Sequence, residues 1–145
     1  MCLQGDPDQS CLMRRGDFIA RLCAVFHEEA DGVYLRGRRN GWLEQEDELF
    51  AGDPVSRKNV ARILHMYLMK EKGVKDLPDI NDAKVLRDLY DCRVCANHVA
   101  QMYLRGIMDA RTMDKNGEYL WFDLEAFDQN GDIEESINRA KEFCS

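Results

Sequence analysis

Nowhere does the sequence hold an apolar run near the ~20 residues that a membrane-spanning helix requires. That excludes a helical anchor within the chain. Only 3 prolines and 10 glycines punctuate its 145 residues, too few for a long flexible linker. A cationic surplus is missing as well: 20 Lys and Arg stand against 27 Asp and Glu, a net charge of −7. A surface of that sign repels phosphate backbones and anionic bilayers, so neither nucleic-acid binding nor membrane insertion is expected. Catalytic signatures are absent too. There is no Gly-x-Ser-x-Gly, no His-Glu-x-x-His and no glycine loop suited to phosphate, which points away from an enzyme and from a cofactor. The opening Met1-Cys2-Leu3-Gln4-Gly5-Asp6-Pro7-Asp8 lacks the basic start and apolar stretch of a secretory signal. If that N-terminus is native, a cytoplasmic location is expected.

What remains is globular composition. Hydrophobic residues make up 45% and charged residues 32%, the balance of a packed domain rather than a disordered chain. A chain of this length buries roughly 70% of its unfolded surface and needs neither disulfides nor a metal to do so. The expectation is a single helical domain over 1–145. The six cysteines, Cys2, Cys11, Cys23, Cys92, Cys95 and Cys144, then read as buried free thiols, because nothing in the sequence indicates secretion.

Hydrophobic spacing predicts a mainly α fold of about five helices. The clearest has Ser56 at its N-cap and Val60, Ile63, Leu64, Tyr67 and Leu68 on one face, and it stops at Gly73. An earlier helix covers Leu12 to His27, with Ile19, Leu22, Cys23 and Phe26 as its stripe. The spacing of Ile80, Ala83, Leu86 and Tyr90 predicts a helix over Pro78 to Tyr90. Cys92, Cys95, Val99 and Met102 share a face of the next, from Asp91 to Arg105, closed by Gly106. A last helix starts at Asp132, paired with Glu135 in the manner of a capping box, and carries Ile133, Ile137, Ala140 and Cys144. Two stretches break the pattern. Asp31 to Gly52 reads as loop with one helical turn at most. Thr112 to Gly131 holds Asn116-Gly117 between short apolar runs, the signal of a small hairpin.

Few side-chain clusters carry chemistry. Cys92, Cys95 and His98 could supply two sulfurs and a nitrogen to zinc, but no second pair completes a ligand set. A redox pair would follow a strand, and a helix is expected there instead, so the two cysteines read as core residues. Asp128-Gln129-Asn130-Gly131-Asp132 resembles part of a calcium loop, yet Ala126 and Ile137 fall where its end ligands belong; a turn into a capped helix is the simpler reading. Arg36-Gly37-Arg38-Arg39 reads as a solvated loop, His27 as a surface residue and His65 as packed on the edge of its stripe.

Helix starts repeat weakly along the chain. Met13-Arg14-Arg15-Gly16-Asp17-Phe18 and Val55-Ser56-Arg57-Lys58-Asn59-Val60 follow one pattern, and the second continues as Ala61-Arg62-Ile63-Leu64. Both resemble the Ile-Thr-Arg-Ala-Glu-Phe helix start of S-layer homology domains. Asn40-Gly41-Trp42 through Asp53-Pro54 is similar to that family's glycine-rich approach, Asp79-Ile80-Asn81-Asp82 to its repeat opening, and Tyr103 to Met108 to the helix that closes on Gly-Ile. The resemblance implies degenerate helical repeats: a partial one over 11–52, a main one over 53–131, and a degraded third whose terminal helix is 132–145, with Glu135 in place of the motif Arg. It also implies a bacterial cell-wall binding module whose helix starts line grooves for anionic polysaccharide. Arg57 with Ser56 would form the better site, Arg15 with Arg14 the second, and Trp42 a sugar platform. An Arg beside free N–H groups in a first turn suits a carboxylate. Two other readings stay open: an intracellular protein-protein interaction domain on the same scaffold, and a metal-binding protein using Cys92, Cys95 and His98. The resemblance would place the protein at the cell surface, against the cytoplasmic reading of its N-terminus.

Overall fold

The computed structural model describes residues 12–114, 116–117 and 119–145. Cys2, Cys11 and the Met1–Asp8 segment lie outside the described residues, as does Lys115 of the expected turn. The chain is mainly helical: α1 spans Arg15–Val25, α2 Val33–Asn40, α3 Gln45–Leu49, α4 Arg57–Lys72, α5 Arg93–Leu104 and α6 Asn130–Phe143. Between α5 and α6 a two-stranded antiparallel hairpin pairs β1, Thr112–Met113, with β2, Leu120–Trp121. No described helix is long and apolar enough to cross a membrane.

Helix α4 is the hub, because its stripe is the most regular. Val60, Ile63, Leu64, Tyr67 and Leu68 are all buried, facing α5 on one side and α6 on another. Val99 and Met102 of α5, Ile133 and Ile137 of α6, and Phe18, Ile19 and Leu22 of α1 complete a single core. Phe26 and Trp42 pack on Tyr67, the Trp42 ring edge-on with centroids 4.8 Å apart. Burial of each such side chain stabilises the fold by roughly 1.5–3 kcal/mol, so one continuous core of this size suffices for a domain.

Four expectations need correction. Asp31 to Gly52 holds two helices, α2 and α3, rather than loop. Its glycines punctuate helices instead of preventing them. Gly41 ends α2 in a left-handed conformation, and at Gly37 a Cβ would fall 2.5 Å from the Leu43 side chain, so only glycine lets the α2–α3 connection close. The Arg36–Arg39 run therefore lies on α2. Pro78 to Tyr90 is not an α-helix but two 3₁₀ turns, Asn81–Val85 and Leu89–Asp91, with Leu86 extended between them to bridge Leu120. Tyr90 is exposed. The last helix starts at Asn130 with Gln129 as N-cap, so Asp132 and Glu135 lie inside it and cap nothing. Finally, Cys92 and Cys95 are joined as a disulfide rather than being free core thiols. Cys23 is a buried free thiol as expected, its proton affinity raised by burial, whereas Cys144 is exposed.

Candidate functional site

Three helix starts are joined by backbone bridges. The N-cap of α1, Arg14, bridges Pro54; the N-cap of α4, Ser56, bridges Phe127; the N-cap of α6, Gln129, bridges Leu12. In each case an N-cap pairs with the residue two positions before the next N-cap. The backbone repeats the relation. Arg15 and Gly16 donate to the carbonyls of Asp53 and Ala51, and Arg57 and Lys58 donate to those of Ala126 and Leu124, at the same offsets. The third repeat therefore aligns Asn130, not Glu135, with Arg15 and Arg57, and aligns Asp128 with Met13 and Val55.

This pairing changes what the helix starts offer. The first N–H groups of α1 and α4 are occupied by neighbouring carbonyls, so they are not free for an anion. Ser56 is the N-cap, but its hydroxyl accepts from the Asn59 side chain at 3.0 Å instead of capping a backbone N–H. Arg57, 6% exposed, donates to the carbonyl of Phe122 at 2.8 Å, to the Asp128 carboxylate and to the carbonyl of Asp109, with its guanidinium 4.4 Å from the Phe122 ring centre. Arg15 is buried against Asp47 at 3.0 Å. Arg14 is exposed, and its side chain donates to the Gly52 carbonyl. Trp42 is 1% exposed and donates to Glu71 at 3.1 Å, so it presents no face to a sugar and is corrected from platform to core residue.

Clefts surround the start of α4. The first, of about 220 Å³, is lined by Arg57, Asp109, Arg111, Asp128, Glu135 and Arg139, among others. A second, of about 740 Å³, includes Lys58, Asp88, Cys92, Arg111, Trp121 and Glu125. A third, of about 460 Å³, includes Glu44, Lys58, Arg62, Cys92, Cys95 and His98. Arg111 belongs to the first two, and Lys58 and Cys92 to the last two, so the clefts adjoin at these residues around the first turn of α4. The loop that walls the second cleft is held from both sides. Asp88 accepts the N–H groups of Phe122 and Asp123 at 2.8 Å each, while Arg57 takes the Phe122 carbonyl. Trp121, 37% exposed, is the aromatic face there. Its sequence signal was the apolar run after Asn116-Gly117, which marks a hairpin but not which strand residue faces a cleft.

Beside the third cleft runs a chain of hydrogen bonds that the sequence did not suggest. His65 Nε2 lies 2.6 Å from Asp76, His65 Nδ1 lies 2.7 Å from His98 Nδ1, and Asn97 donates to Asp76 at 2.9 Å. Burial pushes the Asp76 carboxyl up, but the hydrogen bonds from His65 and Asn97 outweigh it and leave it below the usual range. Burial, then His65, then Arg62 push His98 down to about 4, with Asp76 opposing. Glu44, Glu46 and Lys58 are the other charged groups lining that cleft. An unfolded His98 titrates near 6.5 and the folded one lower, so the unfolded state binds more protons between those values. Stability is therefore expected to be present above pH 6.5 and to fall as the pH drops toward 4. His98 is only partly enclosed, so the loss is discounted to about 1–2 kcal/mol. Urea midpoints measured across that window in the wild type and His98→Gln check this; equal slopes in the two proteins would refute it.

The disulfide leaves no thiolate at Cys92 or Cys95, so the zinc reading of those residues with His98 does not describe this state. Among the described residues no group of three or more His, Cys, Asp or Glu side chains is arranged to hold a metal ion. Compared with models of known families, with curated proteins and with solved structures, the chain gives no match.

Proposed function

We propose that the chain is a non-catalytic binding module of S-layer homology type, and that it holds an anionic wall polysaccharide along the clefts around α4. The observation that carries this reading is the cyclic pairing of three equivalent helix starts, which sets the clefts side by side. A polymer needs a continuous track, and the shared Arg111, Lys58 and Cys92 supply continuity. The ligand contacts move outward from the residues that the repeat pattern suggests. Arg57 and Arg15 hold the cleft walls together. Trp121 is the stacking face, and Arg111, half exposed and only 3.4–3.6 Å from Asp123 and Asp128, is the cation best placed to exchange its loose partners for a sugar carboxylate.

Cosedimentation with purified wall polysaccharide tests this directly, with a carboxyl-reduced sample of the same glycan as control. The native glycan is expected to retain the protein and the reduced one to release it, with weaker retention at higher salt. Trp121→Ala and Arg111→Ala are each expected to weaken binding about tenfold, the loss of ~1.4 kcal/mol, without changing Tm. Absence of binding to every wall fraction would overturn the proposal.

A further inference from the structure

Exposed cystines are more readily reduced than enclosed ones, and the Cys92–Cys95 pair is only half-buried and lies among ionisable side chains. Cys92 is the N-cap of α5, in extended conformation, and Cys95 lies in the first turn. Both sulfur-bearing side chains are half-buried, and between them Val94 is 84% exposed. A 3₁₀ turn precedes the pair, so it opens the helix rather than lying along it, contrary to the expectation from spacing.

Three further features bear on reactivity. The first N–H groups of α1 and α4 are taken by neighbouring carbonyls, but those of Arg93 and Val94 have no backbone acceptor among the described residues. They and the helix dipole favour a thiolate at Cys92. Lys58 and Arg62 line the same cleft, opposed by Glu44 and Glu46 there and by Asp88 and Asp91 in the cleft next to it. The third feature is a proton acceptor. His98 follows Cys95 at i+3, on the same helix face, and lines the cleft with both cysteines. With Asp76 ionised and His65 neutral, Asp76 accepts from His65 Nε2–H and His65 Nδ1 accepts from His98 Nδ1–H. The bare Nε2 of His98 is then the open end of the chain.

We propose that Cys92 and Cys95 form a thiol–disulfide exchange site whose substrate is a dithiol in a cysteine-containing peptide or protein segment. A substrate thiolate attacks Cys92 Sγ, forming a mixed disulfide and breaking the Cys92–Cys95 bond. The electron pair leaves on Cys95 Sγ, which takes up the proton that the attacking substrate thiol gave to the bare Nε2 of His98. The second substrate thiolate attacks the substrate sulfur of the mixed disulfide and releases Cys92. Two electrons and two protons pass from the substrate dithiol to the cysteine pair: the substrate is oxidised to a disulfide and the pair is reduced. A low-molecular-weight disulfide such as oxidised glutathione restores the pair. This activity goes beyond the non-catalytic glycan-binding reading and is tested without glycan: Cys92 and Lys58 also line the proposed track, but Trp121 and Arg111 take no part in exchange.

The experiment uses the full chain. Oxidised protein is equilibrated with glutathione buffers from strongly oxidising to strongly reducing, and alkylated peptides are assigned by mass spectrometry to separate Cys92 and Cys95 from the other four cysteines. The pair is expected to open within that range while the far-UV circular dichroism is unchanged, and to oxidise a two-cysteine peptide stoichiometrically. With the peptide supplied as its disulfide, Cys92 in Cys95→Ser is expected to trap it as a mixed disulfide at least tenfold faster than Cys95 does in Cys92→Ser. His98→Gln is expected to slow exchange about tenfold at neutral pH and to flatten its pH profile. A bond that stays closed at every ratio, or opens only as the fold is lost, would overturn the proposal, and this wild-type measurement decides even if a variant fails to fold. Equal trapping by the two single-cysteine variants would overturn the assignment of Cys92 as the attacked sulfur.

Discussion

Asp47→Ala is expected to lower stability by about 3–5 kcal/mol, the usual cost of leaving buried charge without its partner. Asp47 is 0% exposed, on a helix of five residues that is too short to persist without tertiary support. Its carboxylate accepts from Arg15 at 3.0 Å, from both terminal nitrogens of Arg62 at 3.1 and 2.6 Å, and from the backbone N–H of Glu44 at 2.8 Å. Burial works against the Arg62 charge, and the hydrogen bond and charge of Asp47 reverse that effect and strengthen its hold on the proton. Arg15 has less to fall back on, because its buried Nε already lacks a partner. Alanine would strand the Arg15 guanidinium, leave Arg62 with only Glu44 and Asn59, and undo the α3 cap together. Asp47→Asn keeps the shape and one acceptor, so about half the loss is expected. Typical domains hold only ~5–15 kcal/mol in total, so the alanine variant should show a fall in Tm on the order of 10 °C. Urea unfolding at constant slope is the measurement, and a loss below ~1 kcal/mol would refute the account.

The sequence was legible where one element could be judged from its own spacing. The stripe of α4, the buried face of α1 and the hairpin at Asn116-Gly117 depend on local rules of period and turn chemistry, and the fold class follows from them. Misreadings arose where two physical causes leave the same trace. Ile80, Ala83 and Leu86 repeat at three, which suits a 3₁₀ turn as well as the first turn of an α-helix. Helix α2 is polar and bounded by glycines, so neither composition nor periodicity distinguishes it from loop. The third repeat was hidden for a more instructive reason. Its position equivalent to Met13 and Val55 carries Asp128 because that side chain must reach Arg57, so a pattern that demanded an apolar residue moved on to Ile133. Trp42 and Trp121 show the same limit at the site. An aromatic beside glycines and one in a hairpin look equally available in sequence, and only packing decides that Trp42 is enclosed by Tyr67 and Glu71. The cysteine pair at i and i+3 fits a packed helix face or a bridged helix start, and the backbone at Cys92 selects between them.

Arg57→Ala is expected to abolish polysaccharide binding, but by dismantling the cleft rather than by removing a ligand contact. The guanidinium joins three segments distant in sequence: the Phe122 carbonyl after β2, the Asp109 carbonyl after α5, and Asp128 at the approach to α6. It also covers the buried Phe122 ring. Alanine would leave buried Asp128 with only the loose Arg111 contact at 3.6 Å and two carbonyls without their donor, for an expected loss of about 3–5 kcal/mol. Lysine keeps the charge but lacks the planar fork needed for three directions at once, so Arg57→Lys should recover less than half of that. The pair itself can be separated from its burial by a double-mutant cycle. If the large cost comes from the orphaned carboxylate, adding Asp128→Leu to Arg57→Met should restore about 2 kcal/mol relative to Arg57→Met alone. Purely additive effects would show that Arg57 acts through the carbonyls and Phe122 and not through Asp128. Because Arg111→Ala removes only its contacts at 3.4–3.6 Å to Asp123 and Asp128 and keeps all three Arg57 hydrogen bonds, loss of binding with unchanged Tm in that variant separates ligand contact from cleft construction. Were Arg57→Ala to keep its Tm and lose only binding, the buried guanidinium would have to be reassigned from strut to ligand contact.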